Sequence, residues 1–100
     1  MVIDSKFSIA ADHPALPGHF PGHPVVPGVV ILDTVLCHIK AALPGRVLTA
    51  LPSVKFLAPL LPAETVRLQV EKKKQALLGF RCYRGATLIC HGQMRFTEQG

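Results

Sequence analysis

Apolar and polar residues alternate most regularly in the second half of the chain. Val66, Leu68 and Val70 alternate with Arg67, Gln69 and Glu71, and Leu78, Phe80 and Cys82 alternate with Gly79, Arg81 and Tyr83. Successive strand residues point to opposite faces, so this period of two predicts strands with one face buried. Arg84-Gly85 supplies a turn. Beyond it Leu88, Cys90, Met94 and Phe96 fall on one face, with Thr87, His91, Gln93 and Arg95 on the other. Between residues 46 and 61 the run Val54, Phe56, Ala58 also alternates, broken by Pro52 before it and by Pro59 and Pro62 after it. Residues 2–10 alternate more loosely, with Phe7 and Ile9 opposed to Lys6 and Ser8, as in a half-buried strand.

Residues 29–43 break this rhythm. They contain neither Pro nor Gly, carry apolar side chains on nearly every helical face, and are followed by Pro44-Gly45 with Lys40 in the last turns. Length and flanks predict a helix, because such a stop suits the chain's exit and a cation suits the helix C-terminus. A helix apolar all round is expected to be wrapped by other structure. One strand, one buried helix and four or five further strands predict an α+β domain, an antiparallel sheet of five or six strands wrapped around one central helix. Residues 1–100 read as a single domain without repeats or linkers.

The connection between the first strand and the helix is unlike either. From His13 to Pro27 it holds five prolines and two glycines, so no regular element runs through it and an ordered loop is expected. Long ordered loops on a rigid scaffold commonly carry function. His13, His19 and His23 lie on this loop, and a neutral histidine held by prolines can accept a proton near pH 7. The residues alone do not rank the three. Pro27-Gly28 opens the helix, where the first N–H groups lack internal partners and the dipole favours negative charge. Gly28 has no side chain to keep a carbonyl from its N–H, although Pro-Gly can equally serve only to fix the turn. Asp33 lies five residues beyond Gly28, roughly 7.5 Å along the axis, with Ile31, Leu32, Val35 and Leu36 around it. If buried there it is costly as a carboxylate and its pKa rises, which suits a proton donor; the alternative is an exposed Asp on a less buried stripe.

Charge and cysteines narrow the remaining classes. The chain of 100 residues is 49% hydrophobic, enough for a core in a domain small enough that self-association is expected. No segment reads as a signal peptide or membrane span, which predicts a cytoplasmic protein. Cys37, Cys82 and Cys90 form no C-x-x-C pair and read as buried, reduced thiols. His13, His19, His23, Asp33 and Cys37 match no zinc spacing, so neither metal nor cofactor is expected. The formal charge of +5 suits an acidic partner, but Lys72-Lys73-Lys74 lacks the interleaved aromatics of a nucleic-acid surface.

The run Gly18-His19-Phe20-Pro21-Gly22-His23-Pro24-Val25-Val26-Pro27-Gly28-Val29 closely resembles the active-site segment of the 3-hydroxyacyl-[acyl-carrier-protein] dehydratases, which have the hotdog fold. The likeness continues through Val54-Lys55-Phe56 and residues 59–62. It implies that His19 is the base that removes the α-proton of a (3R)-hydroxyacyl thioester, that Gly28 offers its N–H to the thioester carbonyl, and that Asp33 occupies the place of the catalytic acid. Phe20, Pro27 and Val29 would contact substrate, and the product would be the trans-2-enoyl thioester. It also implies a dimer joined edge to edge, homodimeric or heterodimeric or a higher oligomer of dimers, with His19 of one subunit facing Asp33 of the other. Acidic acyl carrier protein is then the partner, in fatty acid or polyene and polyketide synthesis, with no nucleic acid involved. Two departures stand out. These dehydratases usually carry Glu at the place of Asp33, whereas the related dehydratase-isomerases have Asp; losing a methylene draws the carboxyl back by roughly 1.3 Å, enough to matter for a reacting group. The chain is also shorter at its ends than typical members, which suggests altered chain-length preference or a subunit that works only beside a partner. The rival expectations are a non-catalytic hotdog subunit and an acyl thioesterase.

Overall fold

The computed structural model describes residues 3–14 and 25–98. In chain order these form β1 (Ile3–Phe7), α1 (Gly28–Ala42), β2 (Arg46–Phe56), β3 (Val66–Lys74), β4 (Leu77–Arg84) and β5 (Thr87–Glu98). The five strands make one antiparallel sheet in the order β1-β3-β4-β5-β2, and the single helix packs on one face of it. The expected architecture is therefore present, with five strands among the described residues.

Register explains the core. Ile3 pairs with Val70 and Phe7 with Val66 across β1 and β3, Leu68 with Cys82 and Val70 with Phe80 across β3 and β4, and Leu78 with Met94 across β4 and β5. These side chains share the inner face and bury against Val30, Ile31, Val35 and Ile39 of α1. Phe80 faces Gly92, where a Cβ would lie 3.0 Å from the Phe80 ring and 2.3 Å from the Ser53 carbonyl oxygen. Gly92 thus lets that ring and the β2 backbone close over the strand.

Three expectations need correction. The helix is not wrapped on all sides: Val29, Asp33 and Cys37, one turn apart, form an exposed stripe, and Val29 is 71% exposed. The core-facing residues lie on the opposite side of the helix, so the outward apolar positions are left to whatever covers this face. Cys37 is accordingly an exposed thiol, whereas Cys82 and Cys90 are buried and reduced as expected. Leu88 does not share a face with Cys90. A bulge between Cys82 and Tyr83 sets Leu88 opposite Tyr83, on the outer face, and leaves Ile89 and Cys90 both fully buried.

Cys82 and Cys90 are direct register partners. The Cys82 thiol is pushed well above its ordinary range, first by its hydrogen bond with Cys90 and then by burial. β2 is an edge strand, with register shifts around Ala50 and with Pro52 in its middle. Proline is at home there, since an edge strand has backbone groups without a ladder partner.

Candidate functional site

The helix start carries no side-chain cap. Pro27 is the N-cap residue, with φ −59° and ψ 143°, and offers no side-chain hydrogen bond, while the first turn holds no acidic residue. The Pro27 carbonyl accepts from the amides of Val30 at 3.0 Å and Ile31 at 3.4 Å. The Gly28 N–H precedes these and has no partner among the described residues. It carries the partial positive charge of the helix N-terminus.

An apolar groove of about 570 Å³ opens beside it, lined by Val26, Pro27, Gly28, Ile31, Phe56 and Leu60 among others. Its walls are tied together by backbone. The Val26 amide donates to the Leu60 carbonyl at 2.8 Å, and the amides of Leu57 and Ala58 donate to the Ile89 carbonyl at 2.8 and 3.3 Å. The segment after β2 is fastened again where the Ala63 amide meets the Ile9 carbonyl at 2.7 Å and the Arg84 guanidinium donates to the Pro59 carbonyl.

Phe56 gives Gly28 a second reason to be glycine. A Cβ at Gly28 would fall 2.6 Å from the Phe56 Cζ atom, a contact that real side chains do not make. The aromatic ring therefore lies against the bare backbone of the helix start and is still 49% exposed on its other side. The sequence points to an approaching carbonyl or a turn-fixing role for Gly28, but not to a ring packed against it. The signal for Phe56 was an aromatic residue ending an alternating run just before a proline-rich turn.

The expected site residues divide into three groups. Pro27 and Gly28 line the groove. Val29 and Asp33 lie on the exposed helix stripe, so the single chain does not put Asp33 in a water-poor setting. The reason is helical phase: positions 29, 33 and 37 turn away from the sheet while 31, 35 and 39 turn toward it. His19 and Phe20 lie outside the described residues, as does His23. The remaining loop histidine, His13, is half-buried at a turn where its amide donates to the Ala10 carbonyl at 3.0 Å. Among the described residues no three His, Cys, Asp or Glu side chains converge as a metal site, and no helix is long and apolar enough to cross a membrane.

A second constellation, on the far side of the helix, reads as structural. The Ser5 hydroxyl and His38 Nδ1 are 3.0 Å apart, and the His38 ring lies 5.6 Å from that of Phe7. Together they pin the helix to edge strand β1.

Known proteins resemble this chain in sequence and in fold. The ApeI-like family, described as ApeI dehydratase, matches residues 2–93. A 3-hydroxyacyl-[acyl-carrier-protein] dehydratase FabZ from Desulforamulus reducens is 30% identical over 101 aligned residues, covering 89% of this chain and 71% of the relative. The FabZ of Myxococcus xanthus is 39% identical over 64% of this chain, which spans about half, 48%, of that relative's length. Among solved structures, the dehydratase heterocomplex ApeI:P from Xenorhabdus doucetiae superposes with a TM-score of 0.85 at 28% identity, covering 95% of this chain and 86% of that one.

Proposed function

Since the chain belongs to the ApeI-like dehydratase family and has its hotdog fold, we propose that it removes water from (3R)-3-hydroxyacyl chains carried as thioesters on acyl carrier protein. The observation that carries this reading is the uncapped Gly28 N–H at the rim of an apolar groove, one and a half turns below Asp33 on the same helix. The groove holds an acyl chain. The amide donates to the thioester carbonyl and stabilises the negative charge that develops there when the α-proton leaves.

His19 takes that proton from C2. The electron pair forms the C2–C3 double bond as the C3–O bond breaks, and the departing hydroxyl receives a proton from Asp33 and leaves as water. The imidazolium and the carboxylate then exchange their proton to restore the starting state. Asp33 of a lone chain lies on the exposed stripe of the helix, away from the groove. We therefore infer that a second hotdog subunit covers the Val29–Asp33–Cys37 stripe and brings its own loop, so that base and acid come from different chains. The open edge of β2, with Leu51, Phe56 and Leu57 exposed beside it, is the surface along which such a subunit joins.

The relatedness to a dehydratase heterocomplex supports a second reading, in which this chain is one half of a heterodimer and contributes only part of the site. One experiment separates the two. The purified chain, alone and then with candidate hotdog partners, is given a (3R)-3-hydroxyacyl carrier substrate, and enoyl product is followed. Turnover by the chain alone supports the first reading. Turnover only with a partner supports the second, and none in either mixture contradicts both.

A further inference from the structure

One rung of the sheet runs from the core to the groove. Leu68, Cys82, Cys90 and Phe56 are successive register partners across β3, β4, β5 and β2. Direct partners on an antiparallel sheet share a face, so both thiols lie on the inner face, where both are fully buried. The proposed dehydration uses neither. Phe56 ends the rung at the groove, with its ring against Gly28 and its other side open to solvent. The thiol pair is thus buried, yet its Cys90 end is one strand away from an opening in the surface.

Two cysteines set this way are placed to bond. Directly opposed residues of an antiparallel pair have Cα atoms about 4.5 or 5.5 Å apart, and both separations fall within the roughly 4.4–6.8 Å that a disulfide spans. The thiols already share a hydrogen bond, and its effect on them is unequal. Cys82, which donates, is pushed well above the ordinary thiol range, while Cys90, which accepts, is held below it against burial. Cys90, the thiol nearer the groove, is the better nucleophile, and Cys82 keeps its proton.

We propose that Cys82 and Cys90 form a reversible disulfide on reaction with a small peroxide, and that this bond resets the groove wall at Phe56. The Cys90 thiolate attacks one peroxide oxygen and the O–O bond breaks. The hydroxide released takes up the proton that Cys90 had lost, leaving a sulfenic acid and one water. The Cys82 sulfur then attacks the Cys90 sulfur: the S–S bond forms, the S–O bond breaks, and the departing hydroxide leaves with the Cys82 proton as a second water. Two thiols lose two electrons and one peroxide gains them. Bond formation pulls the Cys90 sulfur toward β4, away from its other neighbour, Phe56. In a close-packed core the space vacated is taken up by what borders it. The Phe56 ring therefore shifts off Gly28, and the groove widens.

The test uses the Cys37→Ala chain, in which the exposed thiol cannot link one copy to another. The folded protein is treated with hydrogen peroxide at rising concentration, and mass spectrometry follows the sulfurs. The expected product has lost two hydrogens, yields a peptide linked through Cys82 and Cys90, and returns to the starting mass with dithiothreitol. Cys82→Ala in the same background should stop at a sulfenic acid on Cys90 that dimedone captures. Nile red titrated into the reduced and oxidised forms reads the groove without any turnover: its Kd should change by roughly threefold or more, and Phe56→Leu should abolish the difference. Reduced and oxidised protein share one sequence, so this comparison stands even if Cys82→Ala fails to fold. Two intact thiols under peroxide that fully oxidises Cys37 in the native chain overturn the proposal, as does oxygen added to one sulfur with no linked peptide. A folded Cys82→Ala that gives no dimedone adduct, or a disulfide that leaves Nile red affinity unchanged, overturns it too. Bonding only after urea has unfolded the chain likewise overturns it and makes the pair an inert part of the core.

Discussion

Gly28 is held in place by two demands that a side chain would frustrate together: the ring of Phe56 rests against its backbone, and its backbone lines the groove. Gly28→Ala is therefore expected to displace that ring and cost about 1–3 kcal/mol, the usual range for overpacking. Urea unfolding of the variant checks this, and Gly28→Ala combined with Phe56→Leu should recover most of the loss. An unchanged midpoint for Gly28→Ala would show that the ring moves aside freely. At the protein surface, Asp4 is held below the usual carboxylate range, chiefly by its hydrogen bond from Arg67. Because the folded state binds this proton less readily than the unfolded chain, the associated stability is present above the ordinary Asp range and is lost as pH falls through the depressed value. Asp4→Asn should thus flatten the acid limb of stability against pH while leaving the alkaline limb alone, and the effect should shrink in salt.

The elements were legible where side-chain period and burial agree. β3 and β4 follow their period-two runs, and α1 starts and stops within one residue of the expected bounds because Pro-Gly pairs flank it. Leu88 was misplaced because a bulge inserts one residue without a marker in composition, and every side chain before it changes face. The exposed stripe of α1 was missed for a different reason. An apolar residue such as Val29 looks the same in sequence whether its own fold or another subunit covers it. Two turns also depart from their ideal residues: Ala63 and Ala76 have φ of 68° and 66°, a left-handed conformation that Cβ disfavours. Ala63→Gly should relieve about 0.5–1 kcal/mol, the gain in strain exceeding the added freedom of the unfolded chain. Thermal unfolding with a raised midpoint supports this, and a lowered one shows that the turn tolerates its alanine.

At the scale of the whole molecule, the proposed function asks the described chain to supply only part of a site. It presents a groove, an open helix start and a carboxyl, but the carboxyl faces outward and the β2 edge is unpaired. If that edge is the joining surface, Leu51→Arg should convert a particle of twice the 10.8 kDa chain mass into single chains in sedimentation, with turnover lost in parallel. A variant that stays dimeric would move the joining surface elsewhere. The most direct test of the shared site uses two inactive chains. His19→Ala and Asp33→Asn are unfolded and refolded together, and turnover of the 3-hydroxyacyl thioester is measured. If each site takes its base from one chain and its acid from the other, half the dimers are mixed and each has one intact site, so a two-fold assembly predicts recovery of about a quarter of native activity. No recovery from two folded, freely exchanging variants would contradict a site built across two copies of this chain.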